Sequence, residues 1–362
     1  MKILSINYSN FRNYKELFLE FKKPLIFFIG NNGEGKTNII EGIYLFSTLK
    51  SFRDNLDEEM INWNSDYYYI RSEILKDVPK IIEIGYSKEK KKKIKLNGNE
   101  LNRKADLIGE LKTVALTPTD LKIIEGGPVE RRKFIDTFLC SINKNYMESL
   151  LEYTKILKQR NKALKEKNVS YNELFAWDKM LSERGSFIKE EREKAVLKLT
   201  NYFQENLTNL SMQKDSFEIK YRPNIKENNY LQKLNEKRDF DLKMGFTSVG
   251  IHRDELFIGK ENLDLTSFGS QGQKRSTVIA MKISTYNYIR EVSGVYPILL
   301  IDDVIRELDA KRREFFVSLL KNSGQVFFTT TDLEGIKEFI SSIKENIQVF
   351  KVEGSLVKEI YL

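Results

Sequence analysis

The chain has 362 residues, 41% hydrophobic and 31% charged, which indicates one large or two unequal globular domains and argues against a disordered chain. A single cysteine, Cys140, and a single histidine, His252, exclude an internal disulfide and a zinc or iron–sulfur centre, so any metal must bind oxygen ligands. The formal net charge of +8 favours an anionic partner such as nucleic acid. No secretory leader and no apolar run of membrane-spanning length is visible, and we expect a cytoplasmic protein without a membrane partner.

The first elements along the chain surround a glycine-rich loop. Two strands are predicted within residues 1–21, on either side of a turn at residues 10–14. The apolar run 25–29 predicts a buried strand, and apolar residues at helical spacing follow from Thr37 to Leu49. The loop between them has the sequence of a phosphate loop, with the residues Gly30, Asn31, Asn32, Gly33, Glu34, Gly35, Lys36 and Thr37.

This loop predicts a site for a nucleoside triphosphate. Its glycines allow backbone N–H groups and the helix N-terminus to surround a phosphate group. Lys36 adds a positive charge at the β- and γ-phosphates, and the Thr37 hydroxyl is a ligand for Mg²⁺. We therefore predict that the chain binds ATP together with Mg²⁺.

Further strands are predicted at residues 67–74 and 81–86, and the dipeptide Asn97-Gly98 predicts a tight hairpin turn. The lysine-rich run Lys88–Lys95 precedes that turn. It is typical of a solvated strand edge protected from aggregation, and a patch that contacts phosphates is the alternative.

A helical segment follows in the middle of the chain. From Pro128 the composition becomes rich in Lys and Glu, and helical spacing of apolar residues predicts two long helices separated by a polar break near residues 165–170. We predict that they form a short antiparallel hairpin. The resulting α/β fold has an ATPase head made of residues 1–112 and 245–362, with the mainly helical domain 113–244 inserted into it.

A second anion site is predicted at residues 269–273, Gly-Ser-Gln-Gly-Gln, which precede a helix and match an ABC signature. Ser270, Gly272 and Gln273 lie at the start of that helix, where N–H groups attract a phosphate and can complete the γ-phosphate shell of another subunit. An ordinary helix cap is the alternative for this sequence.

The apolar run 298–301 ends in Asp302 and Asp303, as a Walker B strand does. We predict that Asp302 holds Mg²⁺ through water and that Asp303 orients or deprotonates the attacking water, with a cap for the next helix as the alternative role of Asp303. Residues 307–309 match a D-loop. Residues 327–331 end a strand where ABC proteins carry their switch residue, here with a hydroxyl in place of histidine.

Taken together, these motifs resemble those of the RecF family, which is related to the SMC proteins and has ABC-type ATPase heads with a mixed sheet. The resemblance covers essentially the whole chain. Beyond the motifs above, it extends to segments at residues 10–14, 37–41, 51–53, 118–136 and 250–254. Two departures are Ile251, in place of a common proline, and Arg306, in place of a small D-loop residue.

The resemblance implies an ATP-dependent DNA-binding protein of replication, recombinational gap repair and the SOS response. It implies binding to single-stranded, gapped or junction DNA, the partners RecO and RecR in loading recombinase, and a homodimer formed with ATP. It also implies that Ser270 acts across the dimer and that Arg12 contacts nucleotide phosphate.

The sequence is compatible with more than one use of ATP. Asp303 is one methylene shorter than the glutamate of fast ABC ATPases, and we predict weak, DNA-stimulated hydrolysis. The alternatives are a structural DNA clamp that binds ATP without useful hydrolysis and a transporter subunit. For His252, a structural role is the expectation from sequence.

Overall fold

The structure is a computed structural model and describes residues 1–89, 92–166, 169–226, 229–304, 308–320, 323–333, 340 and 344–361. Parts of the run Lys88–Lys95 and of the predicted D-loop, including Arg306 and Glu307, lie outside these residues. No helix within the described part of the chain combines the length and the apolar character that crossing a membrane requires.

The strands that the structure describes are β1 (Lys2–Phe11), β2 (Tyr14–Glu20), β3 (Leu25–Ile29), β4 (Tyr67–Leu75), β5 (Pro79–Ser87), β6 (Lys93–Leu96), β7 (Asn99–Glu100), β8 (Thr113–Leu116), β9 (Glu218–Arg222), β10 (Glu255–Lys260), β11 (Leu263–Asp264), β12 (Ile298–Asp302), β13 (Val326–Thr330), β14 (Ile347–Glu353) and β15 (Leu356–Ile360). The α-helices that it describes are α1 (Lys36–Thr48), α2 (Lys122–Glu125), α3 (Pro128–Ile142), α4 (Lys144–Glu166), α5 (Tyr171–Ser211), α6 (Tyr230–Met244), α7 (Leu265–Phe268), α8 (Gln271–Ser293) and α9 (Ala310–Leu320).

The chain divides into two compact units. The first comprises Met1–Asp120, Asn209–Met212 and Thr285–Leu362, and the second comprises Leu121–Thr208 and Gln213–Ser284. This division groups residues 245–284 with the helical segment, whereas the sequence analysis assigns them to the ATPase head. The domain boundaries given above stay a prediction.

The first sheet of the first unit is antiparallel, with the strand order β2-β1-β4-β5-β6-β7. Side chains of β4 alternate between buried and more exposed, because one face of the sheet packs on the core. Asn97 and Gly98 have φ values of 51° and 79° and connect β6 to β7. This is the tight hairpin turn that the dipeptide predicts.

The second sheet of this unit is mixed, with the order β15-β14-β3-β13-β12-β8, in which only the edge strand β15 runs antiparallel to its neighbour. Every residue of β12 and β13 is buried, which explains why these strands read as uninterrupted apolar runs. Strand β13 lies between β3 and β12. The carboxyl ends of the phosphate-loop strand and the Walker B strand therefore both adjoin the carboxyl end of β13. The predicted α/β class is confirmed.

Helix α1 contacts strands of both sheets and fixes the end of the phosphate loop relative to the core. Its residues Ile39, Ile40 and Ile43 are fully buried. Gly42 packs against the Tyr8 ring so closely that a Cβ atom there would collide with it. The helix is therefore held by shape as well as by apolar burial, which favours a rigid phosphate loop.

The second unit contains the predicted helical hairpin, formed by α4 and α5. Ion pairs and hydrogen bonds join Asn143 to Glu191, Glu152 to Arg184 and Arg160 to Asp178, so the two helices run in opposite directions. The Arg160 guanidinium is fully buried and also binds Asp241 of α6 at 2.8 Å. These charge-assisted bonds attach the hairpin to α6. The predicted antiparallel hairpin is confirmed, but the long helix predicted from Pro128 is divided at Asn143, whose backbone is extended, into α3 and α4.

His252 belongs to a buried hydrogen-bond chain in the second unit. Its Nε2 lies 3.0 Å from the Thr247 carbonyl oxygen, and its Nδ1 lies 2.8 Å from the Tyr153 hydroxyl. The Tyr153 hydroxyl in turn contacts the Tyr230 hydroxyl, which accepts the N–H of Ile251. A neutral ring satisfies this chain, because the carbonyl requires a donor and Nδ1 then accepts from tyrosine. The expectation of a structural histidine agrees with these contacts.

Burial lowers the pKa of His252 from 6.5 to about 4, with smaller contributions from Arg253 and Arg132 in the same direction. The unfolded state therefore binds more protons between these pH values, so stability falls as the pH drops below about 6.5. We expect this group to remove about 2 kcal/mol of unfolding free energy between pH 7 and pH 5. Because His252 is the only histidine, His252→Gln should reduce the slope of unfolding free energy against pH between pH 7 and pH 5, measured by urea unfolding. An equally steep dependence in the variant would contradict this account.

Candidate nucleotide-binding site

The phosphate loop connects β3 to α1 and depends on two glycines with positive φ. Gly33 has φ 86° and Gly35 has φ 101°, conformations that side-chain-bearing residues rarely adopt. A Cβ atom at Gly35 would also collide with the amide of Asn13. The backbone can therefore wrap closely around a ligand at the N-terminus of α1, where N–H groups lack partners within the helix.

A cavity of about 280 Å³ opens beside this loop. The residues that line it are Asn32, Gly33, Gly35, Lys36, Thr37, Asn38, Arg53, Asp303 and Thr329. The structure thus brings the phosphate loop together with Asp303, which follows the carboxyl end of the Walker B strand β12. It does so entirely within the first unit.

Three loop residues predicted to bind the nucleotide do not line the cavity. The carbonyl oxygens of Gly30 and Asn31 accept hydrogen bonds from the Lys36 ammonium at 2.7 and 2.8 Å. The Glu34 carboxylate accepts the N–H of Gly354, in the turn between β14 and β15. Gly30 and Asn31 thus hold Lys36 in the loop, and Glu34 fastens the loop to the carboxyl-terminal hairpin.

Asp302 receives two hydroxyl groups at the same oxygen. The hydroxyls of Thr37 and Thr329 each donate to Asp302 Oδ1 at 2.7 Å. Burial raises the pKa of Asp302 above its ordinary value, although the hydrogen bonds from Thr329 and Thr37 oppose that shift. The hydroxyl of Thr37 and the carboxylate of Asp302 are hard oxygen ligands in contact, a donor set that suits Mg²⁺. No cluster of three or more His, Cys, Asp or Glu able to hold a metal occurs among the described residues.

Asp303 follows β12 directly and has a left-handed backbone, with φ 52°. Its N–H donates to the Thr329 hydroxyl at 3.0 Å and to the Thr329 carbonyl at 3.3 Å. The next described helix, α9, begins at Ala310, and Asp309 Oδ1 accepts the N–H of Arg312 in its first turn. Asp309 is therefore the cap of α9, so the alternative role of Asp303 as that cap does not fit these contacts.

Arg12 is not among the residues that line the cavity. Its guanidinium forms a bidentate pair with the fully buried Glu41 carboxylate, at 2.6 and 2.8 Å, and also binds the Glu59 carbonyl and Asn55. Arg53 lines the cavity instead, where it donates to Asn38 Oδ1 at 3.0 Å. The structure thus offers Arg53, rather than Arg12, as the arginine beside the phosphate loop.

The signature residues belong to the second unit. Ser270 is exposed before the 23-residue helix α8, its N–H donates to Gln273 Oε1 at 2.9 Å, and its Oγ accepts the Gln273 N–H at 3.2 Å. This reciprocal pair is a capping box, which is the alternative considered for the sequence. The hydroxyl proton of Ser270 is not used by the cap, so a cap and an anion site are compatible at this position.

Arg53, Asn38 and Thr329 line the cavity but are absent from the residues predicted to form the site. Arg53 occurs in the segment 51–53, which the sequence analysis notes only as part of a resemblance. Thr329 pairs in register with Asp302 on the neighbouring strand. It falls within residues 327–331, where the sequence analysis notes the switch position, and its place on the strand between the two motif strands is the feature that could have identified it.

Comparisons with known proteins agree with this architecture. Residues 2–358 match the family model described as the RecF/RecN/SMC N terminal domain. The chain is 50% identical to the DNA replication and repair protein RecF of Leptospira interrogans serogroup Icterohaemorrhagiae serovar Lai (strain 56601), over 99% of this chain and 100% of that protein. Among solved structures, it resembles the recombination mediator protein RecF with ATP in the RecFOR pathway, with a TM-score of 0.90 and 32% identity over 99% of this chain and 97% of the other.

A more distant likeness concerns the fold alone. The Smc head domain of Pyrococcus furiosus, bound to the C-terminal domain of ScpA, matches with a TM-score of 0.56 and 16% identity over 99% of this chain and 96% of the other. The prediction of an ABC-type ATPase head with a mixed sheet and an inserted helical segment is confirmed.

Proposed function

We propose, from the fact that the chain belongs to the RecF family, that it is an ATP-dependent DNA-binding protein of replication and recombinational repair that hydrolyses ATP. The observation that carries this proposal is the cavity of the first unit, where the phosphate loop meets the paired carboxylates of the Walker B strand. Relatives of this family are described as DNA replication and repair proteins, and one solved relative is described with ATP.

In the proposed complex, the phosphates of ATP lie beside Asn32, Gly33 and Gly35, with Lys36 as the cation of the loop. The Lys36 ammonium donates to two carbonyl oxygens of the loop. These contacts hold it beside the cavity that it lines. Gly30 and Asn31 hold Lys36, Glu34 fastens the loop, and all three stay predicted parts of the nucleotide site.

We assign a Mg²⁺ ion to Thr37 and Asp302, because these two residues supply oxygen ligands side by side. When bound, such an ion neutralises charge on the phosphate oxygens. Asp303 is the residue that orients or deprotonates the attacking water, since it lines the cavity next to Asp302. Its short side chain supports weak hydrolysis, which we propose is stimulated by DNA.

We further propose that two chains dimerise around ATP. Ser270, Gly272 and Gln273 of the partner subunit then face the triphosphate held by the phosphate loop. Support comes from the exposed position of Ser270 at the start of a long helix, whose N-terminus carries partial positive charge. Hydrolysis opens this dimer and releases DNA.

Single-stranded, gapped or junction DNA is the proposed ligand of the dimer, and RecO and RecR are the proposed partners. Support comes from the net charge of +8 and from the solved relative that is described within the RecFOR pathway. A cytoplasmic location stays a prediction. The family assignment leaves the transporter-subunit alternative without support.

A structural DNA clamp without useful hydrolysis is the remaining alternative. Phosphate release, measured with and without gapped DNA, separates it from the ATPase. We expect slow release that DNA accelerates. Release that stays at the level of uncatalysed hydrolysis under both conditions would favour the clamp.

Arg53→Ala should weaken ATP binding about tenfold, since a charge-assisted hydrogen bond to phosphate contributes roughly 1.4 kcal/mol or more. Calorimetric titration with a non-hydrolysable ATP analogue measures the change. Arg103→Ala is the matched control, because Arg103 is an exposed arginine of the same unit outside the cavity. Equal affinity in Arg53→Ala and the unaltered chain would remove Arg53 from the site.

A further inference from the structure

The hydroxyl of Thr329 contacts both Asp302 and Asp303 at the carboxyl end of the Walker B strand. Thr329 is 1% exposed and lies on β13, where it pairs with Asp302 of β12. Its Oγ1 donates to Asp302 Oδ1 at 2.7 Å and accepts the N–H of Asp303 at 3.0 Å. The Thr329 hydroxyl therefore donates its only proton to the Asp302 carboxylate and accepts the backbone N–H of Asp303 with a lone pair.

The backbone of Asp303 is left-handed, and the hydrogen bond from its N–H to Thr329 supports that conformation. A φ of 52° is uncommon for a residue other than glycine, and it persists only where the surroundings hold it. Apart from the Thr329 hydroxyl, the N–H of Asp303 has a longer contact of 3.3 Å to the Thr329 carbonyl. One carboxylate oxygen of Asp303, Oδ1, is buried without a hydrogen-bond partner among the described residues. The contacts of its N–H with Thr329 hold the Asp303 backbone.

Two hydroxyl groups, each from a different element of the fold, restrain the Asp302 carboxylate. Thr37 belongs to the phosphate loop, and Thr329 belongs to the strand between the two motif strands. Both hydroxyls donate to Oδ1, and Oδ2 is not used by either. The contact with Thr329 therefore fixes the rotation of the carboxylate independently of the loop.

We propose that Thr329 is a positioning residue for ATP hydrolysis, which holds the Asp302 carboxylate and the Asp303 backbone in the arrangement that the reaction uses. The inference rests on the proposed function and deepens it. Thr329 acts through the two aspartates, and its loss therefore affects turnover and metal binding more than ATP binding.

The test compares variants that remove or keep the hydroxyl. Thr329→Val keeps the branched shape without the hydroxyl, Thr329→Ala removes it without adding a methyl group, and Thr329→Ser keeps it. Residues that orient metal ligands typically contribute about 10–100-fold to activity or metal affinity. We expect kcat to fall by that range in Thr329→Val and Thr329→Ala, with KM for ATP changed less than about threefold. Thr329→Ser should restore most of kcat.

A second readout does not depend on turnover. Mn²⁺ affinity in the presence of ADP, measured by electron paramagnetic resonance, should weaken about tenfold in the hydroxyl-free variants and recover in Thr329→Ser. Thr113→Val is the matched control, because Thr113 lies on β8 of the same sheet, outside the cavity, and its hydroxyl is hydrogen-bonded to the Ser47 hydroxyl at 2.5 Å. It should leave both kcat and Mn²⁺ affinity unchanged.

The inference is overturned if the hydroxyl-free variants match the unaltered chain in kcat and Mn²⁺ affinity. It is also overturned if Thr113→Val loses as much as Thr329→Val, because the effect would then reflect a general weakening of the sheet. An unaltered chain that hydrolyses no ATP would contradict the proposed function. In that case the Mn²⁺ affinities would still decide the role of Thr329.

Discussion

Ser270→Arg is expected to abolish ATP-dependent dimerisation while the separate chain continues to bind ATP. Ser270 is exposed at the start of α8, and the proposed dimer brings this position against the triphosphate of the partner subunit. An arginine side chain would fill the space that the phosphate requires. It would also remove the hydroxyl donor. Light scattering after gel filtration with ATP and Mg²⁺ measures the loss, and equilibrium dialysis measures ATP binding.

A matched control separates this effect from the loss of a helix cap. Ser170 forms a similar capping box with Glu173 at the start of α5, and it is exposed like Ser270. Both substitutions remove a cap that contributes about 1 kcal/mol. Ser170→Arg should therefore dimerise normally with ATP. Dimerisation that survives Ser270→Arg would contradict the role of the signature residues.

A mixture of two variants tests whether the site is shared. Lys36→Arg alters the phosphate loop, because a guanidinium does not reproduce a compact ammonium in a tight loop, and each variant alone should be defective. A mixed dimer contains one site with an unaltered Lys36 and an unaltered Ser270. We expect partial recovery of dimerisation and hydrolysis on mixing Lys36→Arg with Ser270→Arg. No recovery would argue for sites that are complete within one chain.

Asp303→Asn is expected to lower kcat by about two orders of magnitude or more, because loss of a general base typically costs 10²–10⁴-fold. Asparagine tolerates a positive φ as aspartate does, so the backbone at this position should be retained. ATP affinity should change by less than about threefold, since the amide keeps the size of the carboxylate. Phosphate release with gapped DNA measures the rate.

Asp106→Asn serves as the control for this substitution, because Asp106 lies in the first unit but does not line the cavity. It should hydrolyse ATP at the rate of the unaltered chain. A rate in Asp303→Asn close to that of the unaltered chain would contradict the assignment of Asp303 as the residue that acts on water.

The sequence predicted those parts of the site that depend on local order along the chain. The phosphate loop is continuous between Gly30 and Thr37, and a buried apolar run leads directly to Asp302. Their chemistry can be read from neighbouring residues, because strand, loop and helix follow one another. The hairpin turn at Asn97-Gly98 is local for the same reason.

The residues that the sequence missed depend on contacts between distant elements. Glu41 binds Arg12 across 29 positions of the chain at 2.6 and 2.8 Å, whereas Arg53 lies 3.6 Å from the same carboxylate and lines the cavity. Thr329 meets Asp302 only because β13 lies between β3 and β12. Strand order is a property of the whole sheet, and no single motif predicts it.

The central claim is that ATP is bound between the phosphate loop of one chain and the signature residues of a second. Sedimentation velocity of the unaltered chain, with and without saturating ATP and Mg²⁺, tests it most directly. We expect monomers without nucleotide and dimers with saturating ATP and Mg²⁺. Monomers alone under saturating ATP and Mg²⁺ would contradict it.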